Sequence, residues 1–443
     1  MTAANTPQAR ADITPLPAVT GFTFLNSLGG GVVTTGFAFL AEAAYRFSPV
    51  QNYMLGLLQG VVYVIGALAV GPALARAIRT VPGVTTRRTL ALLMLALGFL
   101  SSLPWLARRF GDGSPTSGAW AIWVLIGGYS TLTGVLWPIV ESYLSGGRSG
   151  PKLRSSIGVW NVVWSSALVA AYWLMGPLKK DYSLELVLAV AAMHLLCTGV
   201  LPLFARNPAA HVEEHHAPVP EAYPRLLGVF RMQLATSYLV FSALTPFLPL
   251  ACRRLELPDH LQTPIASAWL AARVVTFAVM QRWHGWHGRW ATAGWGAGLL
   301  LAGFGGAVMS STIGVAIGTL WGITTLVLGL AVFGVGMGVI YCAALYYAMA
   351  VGNAQVDAGG KHEALIGIGY GSGPVFGLLA LGAGNAGLLA PGTLLHSVSG
   401  GHFEVLMLIL VAVAASLVVG TSLWQARSHH SSQGRQVREH PAE

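Results

Sequence analysis

The sequence has very little charge. Asp, Glu, Lys and Arg together make up 9% of its 443 residues, where an ordinary soluble domain carries roughly a quarter. Acidic residues are the scarcest of these, 16 against 25 basic ones. Cysteine occurs three times, as Cys197, Cys252 and Cys342, each in or at the end of a separate apolar stretch. Without a C-x-x-C pair or an even, regularly spaced set, neither a metal cluster nor a disulfide framework is expected. Small buried hydrophobes are the simplest reading of all three. No glycine-rich phosphate loop ending in Gly-Lys-Ser/Thr occurs, so ATP-driven transport has no support. A serine nucleophile motif and a His-Glu-x-x-His metal site are missing too. The usual enzyme constellations are therefore absent, and no cofactor is expected.

Apolar residues fill the space that charge leaves, at 54% of the chain. They fall into twelve stretches near 19–45, 50–75, 88–107, 118–146, 155–177, 183–204, 226–250, 261–281, 290–311, 317–350, 363–388 and 403–425. A helix needs about 20 mostly apolar residues to cross hydrocarbon. With no water there to satisfy backbone N–H and C=O groups, helices rather than open strands are required. The expected fold is thus an all-α membrane protein of 12 transmembrane helices. Glycine-rich spans, such as the one holding Gly329, Gly334, Gly336 and Gly338, fit this reading because small residues let helices approach closely in lipid.

The formal charge of +9 raises the possibility of a nucleic-acid partner, but the placement of the basic residues argues for a bilayer. If residues 1–18 form a cytoplasmic tail, the loops on that side carry 16 Lys and Arg and the opposite loops carry seven. Arg231 and Arg273 complete the count, inside spans. The excess predicts that both termini are cytoplasmic, as expected of a protein of a bacterial inner membrane. The apolar stretch before Ala41-Glu42-Ala43 is too long for a signal peptide and contains Asn26, so it reads as an uncleaved first span. Between 205 and 225, proline and charge form a linker. It separates a six-helix half at 19–204 from another at 226–425, with a second tail at 426–443. His211 and His215 in the linker share a helix spacing, but the prolines around them favour a solvated segment over a metal site.

In its topology of six spans, a linker and six more, with a basic loop after span 2, the chain resembles the major facilitator superfamily over about 19–425. Two local patterns add to this. Span 4 ends Leu136-Trp137-Pro138-Ile139-Val140-Glu141-Ser142-Tyr143-Leu144-Ser145-Gly146-Gly147-Arg148, similar to uncharacterised bacterial members. Span 11 carries Gly369-x-x-x-Gly373-Pro374-x-x-Gly377, similar to the glycine-proline pattern that exporting members carry in span 5. The resemblance implies two six-helix halves rocking about a central site, the arrangement of a secondary transporter working by alternating access. Two departures stand out. The loop after span 2 has Ala75 where the family places an aspartate, and span 5 lacks the exporters' glycine-proline pattern. The first leaves open an alternative, a scaffold or sensor that kept the fold without transport.

Ionisable residues inside spans are functional candidates by default, because a charge in hydrocarbon is costly. Arg273 stands about twelve residues from one end of span 8 and eight from the other, near the bilayer midplane. Its permanently charged fork suits a carboxylate or phosphate, so the residue is expected either to bind an anionic part of a small-molecule substrate or to pair with a carboxylate and hold helices together. Glu141, in the cytoplasmic half of span 4, is the candidate for coupling to an ion such as a proton. Glu42, near the outer end of span 1, is a second. Glu363 reads as an acid at the N-terminus of span 11, favoured there by the helix dipole. The resemblance implies that spans 1, 4, 7 and 10 line a cavity, so Asn26, Trp137, Gln233 and Tyr341 are candidate substrate contacts. On the neighbouring span 5, Trp160, Asn161 and Trp164 recur at helical spacing and join the set, against the alternative that such rings serve only packing.

Overall fold

The computed structural model of the protein describes residues 13–112, 114, 116–210, 220–351 and 356–439. The linker histidines His211 and His215 lie outside the described residues. Among the described residues, twelve helical segments are long and apolar enough to cross a membrane: α1 (Leu16–Thr35), α2 (Pro49–Thr80), α3 (Thr86–Arg109), α4 (Trp120–Ser145), α5 (Gly150–Leu178), α6 (Ser183–Leu203), α7 (Ala222–Arg254), α8 (Asp259–Arg282), α9 (Trp290–Ile317), α10 (Thr319–Ala348), α11 (His362–Asn385) and α12 (Phe403–Trp424). No strand occurs among the described residues. The all-α, twelve-span reading of the sequence therefore holds, with ends shifted by a few residues.

Local chemistry accounts for several boundaries. Ser48 and Gln51 form a capping box at the start of α2, with Pro49 in the first turn, where a missing N–H costs nothing. The Thr85 hydroxyl accepts the Arg88 N–H at 3.3 Å and caps α3. In α8 the helix stops at Ala266 and restarts at Ala268. Pro264 and the Ser267 hydroxyl, which donates to the Pro264 carbonyl at 2.6 Å, mark a break of the kind that proline causes. Five-residue π turns interrupt α1 at Gly31–Thr35 and α2 at Gly66–Val70. The first is tied to its neighbours through its carbonyls: Gln59 donates to the Thr34 oxygen at 3.1 Å and Tyr172 to the Thr35 oxygen at 2.8 Å.

Spans α1–α6 and α7–α12 pack chiefly among themselves, and the two halves meet where α2 and α4 lie against α11 and where α5 lies against α8. Close approach at the first seam depends on glycine. A Cβ on Gly60 of α2 would stand 2.1 Å from the Gly371 nitrogen of α11, so a larger residue cannot be seated there without separating the halves. At the end of the bundle away from the basic loops, polar contacts join the halves. Arg253 of α7 pairs with Glu42, Lys180 pairs with Asp259 at 3.0 Å, and Lys179 donates to the Gln262 carbonyl oxygen at 2.8 Å.

Candidate functional site

A central cavity of about 100 Å³ lies between the halves, its walls drawn from α1, α2, α4, α5, α7, α10 and α11. Asn26, Trp137, Trp160, Trp164 and Tyr341, all candidate substrate contacts, line it. The three tryptophans form a connected row: Trp137 and Trp160 are 6.2 Å apart between ring centroids, as are Trp160 and Trp164. Trp164 continues to Tyr341 at 5.7 Å, carrying the row from the first half into the second. Hydrogen bonds fix the ring orientations. The Trp160 indole donates to the Thr23 hydroxyl at 3.0 Å, and the Trp164 indole donates to the Asn161 carbonyl oxygen at 3.0 Å. Asn161 itself faces a second cavity next to the central one. The carbonyl oxygen of Asn26 is buried without a hydrogen-bond partner. So placed, it is a free acceptor on the cavity wall.

Arg273 is 2% exposed, behind Trp164 of the central cavity and Phe277 of the second one. Its guanidinium carbon lies 4.5 Å from the Trp164 centroid, 4.8 Å from Trp269 and 5.8 Å from Phe277. Tyr238, Tyr370 and Tyr341 lie within electrostatic range. Desolvated cation–π contacts are worth about 2 kcal/mol or more, which offsets part of the burial cost. Among the described residues no carboxylate forms a salt bridge with Arg273. Nη1 contacts the Met337 sulfur at 3.8 Å, the Tyr238 side chain is a second hydrogen-bond partner, and Nε has no acceptor among the described residues. A guanidinium has five N–H donors, so most of its recognition capacity is unused. Among the described residues, no arginine–carboxylate pair holds this side chain.

Across the cavity stands Glu363, 4% exposed and accepting a hydrogen bond from the Tyr63 hydroxyl. Tyr63 belongs to α2 and Glu363 to α11, so this contact joins the halves at their centre. The sequence placed Glu363 at a helix N-terminus. The helix instead runs continuously from Val356, which carries the acid two turns inward and onto the cavity wall. Glu141 on α4 is within electrostatic range of Glu363. Two acids and one arginine thus gather around the seam.

Two candidates lie elsewhere. Gln233 is fully buried and donates to the Ala293 carbonyl of α9 at 3.1 Å, a contact within the second half and away from both cavities. Glu42 lies at the end away from the basic loops, paired with Arg253. Inspection of sequence passed over Tyr63, Gln59 and Tyr370, which all line the central cavity. Polar residues on α2 and α11 were the available signal, but the resemblance directed attention to spans 1, 4, 7 and 10.

These features define the class: a two-half, twelve-helix membrane bundle with its polar site at the seam, the fold of the major facilitator transporters. Solved structures agree. A bacterial homologue of the human lysosomal transporter Spinster, inward-facing and unoccupied, superposes with a TM-score of 0.64 at 13% identity, over 93% of this chain and 96% of that one. The nucleoside transporter NupG gives 0.58 at 10% identity, over 92% and 98%. A POT family transporter in complex with 5-aminolevulinic acid gives 0.60 at 10% identity, over 93% and 96%. No family model and no curated protein matches the sequence. The likeness is one of fold.

Proposed function

We propose that the protein is a secondary transporter that moves a small molecule with an anionic group across a membrane by alternating access. The observation that carries this reading is Arg273: a buried guanidinium with no carboxylate partner among the described residues, held by aromatic rings beside a cavity between two halves. A carboxylate or phosphate of the substrate would take the donors that the protein leaves unused. The tryptophan row and Tyr341 would pack on its organic part, with Asn26 and Asn161 as polar contacts.

Glu141 is the proposed coupling group, with Glu363 as its partner across the seam. Proton binding at this pair would change the charge at the contact between the halves, and so the balance between their two arrangements. Glu42 would act at the far end, by holding that side closed through Arg253. The proposed setting is a bacterial inner membrane with residues 1–18 and 426–443 in the cytoplasm. In that orientation the linker at 205–225 joins the halves on the cytoplasmic side.

Uptake of a labelled panel of organic anions into cells expressing the protein tests the reading. At least one solute is expected to accumulate, and Arg273→Ala is expected to reduce its accumulation strongly at low solute concentration. Uptake with an unchanged concentration dependence in this variant would remove Arg273 from substrate recognition. A stable, membrane-inserted protein that moves no solute and purifies with a protein partner would favour the scaffold or sensor instead.

A further inference from the structure

A second cavity is larger than the central one. About 650 Å³ opens between the halves at the end bearing the basic loops, a volume typical of a small-molecule site. Its first wall is the start of α5, with Pro151, Arg154 and Ser155, and its second is the end of α8 with the following loop, including Gln281, His284 and His287. Among the described residues no Asp or Glu lines it. Arg154 is exposed to this space and has no hydrogen bond or ion pair among the described residues. The first turn of α5 carries no acidic residue and no side-chain cap, so the positive end of that helix dipole is not neutralised either.

The second wall is built rather than loose. His287 stacks on Tyr346 with centroids 4.0 Å apart and planes 16° from parallel. Trp286 meets the same imidazole edge-on at 4.3 Å, and its indole donates to the Met280 carbonyl at 3.2 Å. His284 lies 5.2 Å from His287. Burial first, then the neighbouring His284 and Arg154, pushes His287 down to about 4. Its ring is therefore neutral near neutral pH, with one N–H to offer a ligand.

We propose that this vestibule is a binding site for a multivalent organic or inorganic oxyanion, carboxylate or phosphate, held by Arg154 and the α5 N-terminus on one half and by His284, His287 and Gln281 on the other. It adjoins the Arg273 site but uses other residues as ligands, and it does not depend on the transport reading. An anion there bridges the halves on the open side, so its occupancy favours the arrangement in which that side stays apart.

Equilibrium dialysis of the purified full chain in lipid nanodiscs, against radiolabelled citrate and separately pyrophosphate, tests it. Saturable binding of at least one probe is expected, and which probe binds separates carboxylate from phosphate. Arg154→Gln is expected to weaken binding about tenfold, the scale of one charge-assisted contact. His284→Gln with His287→Gln should weaken it several-fold, and Arg273→Ala should leave it within about twofold. Arg154 is exposed, so its replacement does not threaten folding. The absence of saturable binding for both probes would overturn the proposal, as would binding indifferent to Arg154→Gln. Binding lost only in Arg273→Ala would place the anion at the central site and overturn it equally.

Discussion

Arg273 carries the proposed recognition of the substrate in one side chain. Three rings hold the guanidinium, and they satisfy its charge better than its hydrogen-bonding capacity. Arg273→Ala is expected to weaken the affinity for a transported anion by roughly ten- to a hundredfold, the value of a hydrogen bond to a charged group at about 1.5–3 kcal/mol. Arg273→Lys should recover little of this, because an ammonium lacks both the planar fork and the stacking face. Concentration dependence of uptake checks both. For coupling, Glu363→Gln keeps the shape and the Tyr63 contact while removing the charge. It should leave exchange of substrate between the two sides intact and abolish accumulation driven by a proton gradient. Retained accumulation would exclude Glu363. Arg273 was legible in the sequence because a charge within an apolar run is conspicuous. Glu363 was not, because Lys361 and His362 before it imitate a helix boundary, and only the continuous helix shows the acid lying inside.

At the level of the helix, the departures from regularity fall at the seam. The π turns of α1 and α2 and the break in α8 all occur in helices that line the central cavity or carry Arg273, and such irregularities often accompany functional sites. Gly66 opens the π turn of α2, and a Cβ there would stand 2.2 Å from the Thr131 carbonyl oxygen of α4. Gly66→Val is therefore expected to destabilise the protein by about 1–3 kcal/mol through overpacking, read as a fall in thermal midpoint in detergent. An unchanged midpoint would mean that α2 and α4 separate freely. Hydropathy located all twelve spans, since lipid imposes length and apolarity directly. It could not locate the π turns or Gly60 opposite Gly371, which depend on which helices face one another.

At the scale of the whole molecule, the two ends differ. The end with the basic loops holds the open vestibule. The other is closed by Arg253 with Glu42, Lys180 with Asp259, and Lys179 with Gln262. Exposed ion pairs contribute about 0–1 kcal/mol each, so this closure is reversible at modest cost. Glu42→Ala combined with Asp259→Ala should shift the balance towards opening at that end by up to about tenfold, seen as faster labelling of a cysteine introduced at Ala43, which faces the small cavity there. The two-half topology was readable from the linker and the charge bias alone. Which end stands open was not, because it depends on pairs between residues as distant as Glu42 and Arg253.

The central claim is that the halves rock about the seam. Paired spin labels, with Cys197, Cys252 and Cys342 replaced, measure it most directly. One pair, at Lys152 and Trp283, spans the open end; the other, at Tyr182 and Leu261, spans the closed end. We predict that adding a transported solute, or moving between acidic and neutral pH, shortens the first distance and lengthens the second together. A single unchanging distance at both ends under every condition would contradict the account.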